Sequence, residues 1–129
     1  MGLLQREALD QCLSNAYNVV MSDIPGTFEQ AVMVAIVRLG AEGYGRRILN
    51  DVQERLERNV AAGAVYSTLD RLEAKGLLNS KLAPGTALRG GRARRYYGLT
   101  VAGVRALNAS RTASESIWRG LAWPPRRRV

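Results

Sequence analysis

Residues 84–93, PGTALRGGRA, hold three glycines and one proline, and they separate LLNSKLA (77–83) from RRYYGLT (94–100). Both flanking runs suit extended backbone, and a break of this composition between them predicts a β-hairpin with a long tip. A single hairpin cannot bury a core by itself. The fold is therefore decided by what the hairpin packs against, and the sequence ahead of it reads as helix.

TFEQAVMVAIVRLG (27–40) opens with Thr27 and Gln30 at the spacing of a capping box. Its run from Phe28 to Leu39 is apolar on nearly every face, predicting a mostly buried helix that Gly40 ends. In YGRRILNDVQERLERN, Ile48, Leu49, Val52 and Leu56 form an inner stripe. Arg46, Arg47, Asp51, Glu54, Arg55 and Glu57 fall mostly outside it, so Arg46 and Arg47 are expected to pair with Asp51 or Glu54. A third helix lies in AAGAVYSTLDRLEAKG. There Val65, Leu69 and Leu72 fall within about 60° of one another and face the core, with Gly63, Ser67, Arg71 and Ala74 opposite. Gly76 is the left-handed residue expected to end it. After the hairpin, Thr100 reads as an N-cap, and Val101, Val104 and Leu107 start a last helix. Its continuation is weakly apolar until Ile117, Trp118 and Leu121, and Pro124 and Pro125 stop it. At the other end, Leu9, Cys12, Leu13, Ala16 and Val20 recur at helical spacing, predicting an amphipathic helix within residues 3–20 that SDIPG breaks.

The expected class is mainly α with a small β-hairpin: a winged helix-turn-helix domain with N- and C-terminal helices. The expected division is a helical extension over residues 1–20, the winged helix over 22–99, a C-terminal helix over 100–123 and a basic tail over 124–129. The extension reads equally as a dimerisation arm or as the product of an upstream start.

Charge is distributed unevenly. Residues 77–129 carry 11 Lys/Arg against one acid, Glu115, while residues 1–76 carry 8 against 10. Such a split points to a polyanion partner, nucleic acid before acidic lipid. No run approaches the roughly 18 apolar residues of a membrane span, and Arg6, Glu7 and Asp10 stand where a signal peptide would be apolar. The lone Cys12 forms no internal disulfide, so a cytoplasmic protein is expected. Enzyme chemistry is disfavoured: there is no histidine, one cysteine cannot build a zinc cluster, and no phosphate-cradling glycine loop ends in Lys-Ser/Thr. No cofactor or metal is expected.

In a winged helix the third helix enters the major groove and its early residues reach base edges. Glycines in the hairpin tip let backbone approach a duplex, and guanidinium groups match phosphates and narrow minor grooves. Arg89, Arg92, Arg94 and Arg95 are the wing cations; of Tyr96 and Tyr97, on opposite strand faces, one packs inward and the other stays near solvent or phosphate. Each feature alone also fits a plain surface: the arginines a solvated loop, Tyr66 simple packing. Their combination favours duplex DNA, the alternative being a winged-helix module that binds RNA or protein.

At GAVYSTLDRLEAKGLL and GGRARRYYGLTVAG the chain resembles the PadR family of bacterial transcription regulators. Gly43 and Tyr44 match the pair that opens the family's second helix. Gly63, Tyr66, Leu69, Arg71, Leu72, Glu73, Gly76 and Leu77 match its recognition helix and the turn beyond. Gly90, Gly91, Arg92, Arg95, Tyr96, Tyr97, Leu99, Thr100 and Gly103 match its wing, so the likeness spans about residues 27–107. It implies a homodimeric repressor on a palindromic operator. Ala62, Gly63, Tyr66, Ser67 and Arg71 on the recognition helix, with Tyr44, Tyr96 and the wing arginines, would then face DNA. Leu9, Leu13, Val104, Leu107, Ile117, Trp118 and Leu121 would serve dimerisation. Two departures stand out: Ala61 and Ala62 replace the family's frequent Ser-Pro, leaving that helix start without a side-chain cap, and the C-terminal segment is short. Tyr17, Trp118 and Trp123 are available to line a pocket for a small-molecule effector, or simply to pack.

Overall fold

Glycine punctuation and apolar periodicity set the element order in the computed structural model, which describes residues 24–85, 90 and 92–126. Helix α1 (Thr27–Leu39) ends at Gly40, whose φ of +54° suits glycine. A short 3-10 turn (Gly40–Glu42) leads to α2 (Gly45–Leu56), and α3 (Ala62–Ala74) follows. Strands β1 (Leu78–Ala83) and β2 (Arg94–Leu99) pair antiparallel from Leu78 opposite Leu99 to Ala83 opposite Arg94. The last element is α4 (Val101–Trp118). The expected helix within residues 3–20, with Leu9, Cys12, Leu13 and Tyr17, lies outside the described residues, as do Arg89 and the final three positions.

The core gathers one stripe from each element. Val32, Met33 and Ile36 of α1 meet Ile48, Leu49 and Val52 of α2 and Val65, Leu69 and Leu72 of α3. Leu77, Leu78 and Tyr97 close it from the hairpin, and Ala106 from α4. Burying a side chain such as Leu69 or Leu72 contributes about 1.5–3 kcal/mol each, which is why these stripes outrank local propensity.

Three local expectations need correction. Gly26, not Thr27, is the N-cap of α1; Thr27 is already helical, no side chain caps this end, and the amide of Gln30 donates to the carbonyl of Gly26 at 2.8 Å. Helix α1 is mostly buried as expected, only its residues Thr27, Val37 and Arg38 being exposed. Asp51, expected outside, is buried with its side chain only 10% exposed. Its carboxylate takes one ion pair from Arg38 of α1 and a second, at 4.0 Å, from Arg55. Among the described residues neither Arg46 nor Arg47 joins an ion pair.

One junction fixes the hairpin between α3 and α4. Gly76, at φ +78°, closes α3: its amide donates to Glu73 and that of Leu77 to Leu72, so two free carbonyls are satisfied. The Thr100 hydroxyl then donates to the carbonyl of Gly76 at 2.7 Å and accepts from the amide of Gly103 at 3.0 Å. The backbone amide of Thr100 donates to Leu77 at 3.1 Å. Farther along α4, the buried Ser110 hydroxyl donates to the carbonyl of Pro25 at 2.8 Å, tying α4 to the entrance of α1.

Candidate nucleic-acid interface

Helix α3 turns Val65, Thr68, Leu69 and Leu72 inward, and this leaves Ala62, Gly63, Tyr66, Ser67 and Arg71 on the outer face. Ala61 precedes the helix in extended conformation with no side-chain cap, as its side chain dictates. Small residues thus keep the helix start bare, and Tyr66, 43% exposed, is the first large group met along it. Arg71 stays near its own helix, its guanidinium 3.4 Å from the Thr68 hydroxyl.

The Gly-Tyr pair at the head of α2 works through the backbone. The Gly43 carbonyl accepts from the amide of Tyr97 at 2.8 Å, and Tyr44 forms an antiparallel bridge with Tyr96, so this segment behaves as a third short strand against β2. A Cβ on Gly43 would lie 3.3 Å from the carbonyl oxygens of Gly40 and Tyr97, which accounts for glycine there. The rings of Tyr44 and Tyr96 meet edge to face at 5.7 Å. Over the Tyr44 ring, 4.0 Å from its centroid, stands the guanidinium of Arg94. A cation held on an aromatic face keeps its charge while losing freedom, which prepares it to meet an anion.

Arg95 and Tyr97 occupy the opposite face of β2, toward α3. Tyr97 is buried, and its hydroxyl pKa is pushed above the ordinary tyrosine value. Burial is the main cause; the charges of Asp70 and Glu73 add to it, and Arg95 partly offsets them. Arg95 donates to the Ser80 hydroxyl at 2.9 Å. Arg92 sits in the exposed approach to β2.

These elements enclose an open cleft of about 560 Å³ lined by Tyr44, Gly45, Arg46, Tyr66, Arg92, Ala93, Arg94, Arg95 and Tyr97. The structure thus joins three separate stretches of chain: the head of α2, the middle of α3 and the stem of the hairpin. Ala62, Gly63, Ser67 and Arg71 are exposed on α3 and do not line this cleft, while Tyr96 supports it through Tyr44. Two contributors escape a reading of the sequence. Arg46 has the spacing of an ordinary surface residue, yet it lines the cleft. Gly45 leaves the space in which the Tyr66 ring lies: a Cβ there would come within 2.5 Å of the ring's Cε1. The only sequence signal for it is a glycine opening a helix where no turn requires one.

The residues expected at a subunit contact separate into two groups. Leu107 packs partly on the protein's own core. Val104, Ile117, Trp118 and Leu121 are exposed, Ile117 at 75% and Trp118 at 50%, with Trp123 edge to face on Trp118 at 5.3 Å. Leu9 and Leu13 lie outside the described residues. Among the described residues no helix is long and apolar enough to cross a membrane, and no group of three or more His, Cys, Asp or Glu could hold a metal ion.

Solved structures of similar fold include transcriptional regulators. The complex structure of hsRosR-S4 is 24% identical, with a TM-score of 0.59 over 83% of this chain and 84% of that one. A PadR family transcriptional regulator from Eggerthella lenta is 20% identical, with a TM-score of 0.56 over 91% of this chain and 90% of that one. A Staphylococcus aureus MepR variant bound to an oligodeoxyribonucleotide is 18% identical, with a TM-score of 0.50 over 93% and 83%. At these identities the likeness establishes the fold. No curated protein matches the chain. The family model of PadR-like transcriptional regulators matches residues 33–109, a stretch that runs from the core of α1 through the cleft-forming elements into α4, and this protein belongs to that family of regulators, which are not enzymes.

Proposed function

We propose that this regulator is a homodimer that binds a palindromic operator in duplex DNA and represses transcription by occluding it. The observation that carries the reading is the shared face of α3 and the hairpin. Tyr66 of α3 lines one cleft with the cations Arg46, Arg92 and Arg94, and the exposed small residues Ala62 and Gly63 precede it along α3. In this reading Ala62, Gly63, Tyr66 and Ser67 enter the major groove, while Arg89, Arg92 and Arg94 serve the flanking backbone or minor groove. The oligodeoxyribonucleotide bound to the MepR variant of similar fold supports a DNA partner. The exposed apolar residues near the end of α4 supply the second subunit's contact, and a small-molecule effector acting there is part of the proposal. Work in the cytoplasm follows from the DNA partner.

The test is a fluorescence-anisotropy titration of labelled duplex DNA and of structured RNA across a salt series. Preference for the duplex is expected, with a log-log slope of about −0.9 for each phosphate neutralised. Equal affinity for the two nucleic acids overturns the reading in favour of RNA, and affinity for neither in favour of a protein partner.

A further inference from the structure

Strand β1 carries a hydroxyl that bridges the two DNA-facing elements. Ser80 donates its single proton to Glu73 Oε1 at 2.6 Å and accepts from Arg95 Nη1 at 2.9 Å. Glu73 lies in the last turn of α3 and Arg95 near the start of β2, so the three side chains form a continuous link from the recognition helix, across the base of the hairpin, to its second strand. The proton count is satisfied in one way only: a carboxylate cannot donate and a guanidinium cannot accept, so the hydroxyl is oriented by both neighbours at once. Hydrogen bonds to ionised groups are stronger than neutral ones, and this link has such a group at each end.

Its sibling arginine differs. Arg94 points to the other face of β2 and rests on Tyr44 at 4.0 Å, with no carboxylate paired to it among the described residues. The wing cations therefore divide by strand face. We infer that Arg95 is a positioning residue, which through Ser80 and Glu73 sets the angle of the hairpin against the recognition helix, and that it is not a phosphate ligand.

The inference rests on the proposed function and gives the reason Arg95 stands outside its DNA-contacting set, and its two readouts separate the two ideas. The first needs no DNA. Amide hydrogen exchange across β1 and β2 is measured in the wild type and in Ser80→Ala, Arg95→Ala, the double substitution and Ser80→Thr. Exchange is expected to rise several-fold in each alanine variant, to rise no further in the double one, and to return to wild type in Ser80→Thr, which keeps a hydroxyl. Core amides of α1 should stay protected throughout. The second readout is the salt dependence of binding to a duplex selected by the wild-type protein from a random pool. Arg95→Ala is expected to weaken binding with an unchanged slope, whereas removal of a true phosphate ligand flattens the slope by about 0.9 for each phosphate left unneutralised. Additive exchange effects, or a flattened slope in Arg95→Ala, overturn the inference. Should the wild type select no duplex, the proposed function fails, while the exchange series still decides the link.

Discussion

A Cβ on Gly103 would lie 2.0 Å from the carbonyl oxygen of Leu77, closer than any side chain can approach backbone. The first turn of α4 is thus seated directly on the strand entrance, and only glycine permits it. Gly103→Ala is expected to cost about 2–3 kcal/mol, since neither backbone can yield without losing the Thr100 cap. Urea unfolding at fixed protein concentration measures it. Gly63→Ala is the control: nothing lies within 4 Å of the Cβ it adds, so its midpoint should stay or rise slightly.

At Gly45 the same addition meets a side chain rather than backbone, the ring of Tyr66. Tyr66 is 43% exposed and can swing aside, so stability should hold. Duplex affinity should fall about tenfold, equivalent to about 1.4 kcal/mol, because the displaced ring leaves its place beside the cleft. Anisotropy titration of Gly45→Ala, paired with its thermal midpoint, checks both halves; a large loss of stability would mean that Tyr66 is held more firmly than its exposure suggests.

Tyr97 links pH to stability. Its pKa is raised in the folded protein, so the neutral form is favoured there and the unfolded chain ionises first. The resulting contribution is complete below the unfolded value of about 10 and is lost as pH rises through the higher folded value. In Tyr97→Phe the decline in stability above about pH 10 should be shallower than in the wild type. Denaturation midpoints on both sides of that pH provide the comparison.

Arg94 and Ser67 should fail in different ways. Arg94→Ala is expected to weaken binding to all sequences and to flatten the salt slope by about 0.9 for each phosphate that the guanidinium neutralises in the wild type. Ser67→Ala should keep the slope and change the preferred operator, as read from selected sequences.

The second subunit is tested at Trp118. Sedimentation over a range of protein concentrations should show a dimer for the wild type and a shift toward monomer for Trp118→Ala, with Val37→Ala unaffected despite its exposure. A monomer at every concentration in the wild type would remove the homodimer from the proposal.

Much of the fold was legible because its boundaries are written in single residues. Gly40 and Gly76 mark helix ends by adopting positive φ, Thr100 caps α4, and the alternation in RRYYGL sends one tyrosine of the pair inside, which packing makes Tyr97. What failed were relations between elements. Helical angles put Asp51 on the outer side of α2, but they cannot register that α1 delivers Arg38 to that side. The Thr27 capping box failed by one position: once Gly26 takes the cap, the Thr27 hydroxyl belongs to the helix and faces no free amide. The cleft was legible as a set of arginines and tyrosines. Their sorting into Arg94 on Tyr44 and Arg95 on Ser80 required the strand register and the packing of α3 against β1.

The single hydroxyl of Thr100 touches the end of the recognition helix through Gly76 and the start of α4 through Gly103. A torque applied to α4 is therefore passed through these two hydrogen bonds to α3, the helix that the proposed function places in the groove. Handle and proposed reading head are thus directly coupled, and on the proposed function a ligand that twisted α4 is expected to loosen the grip on DNA.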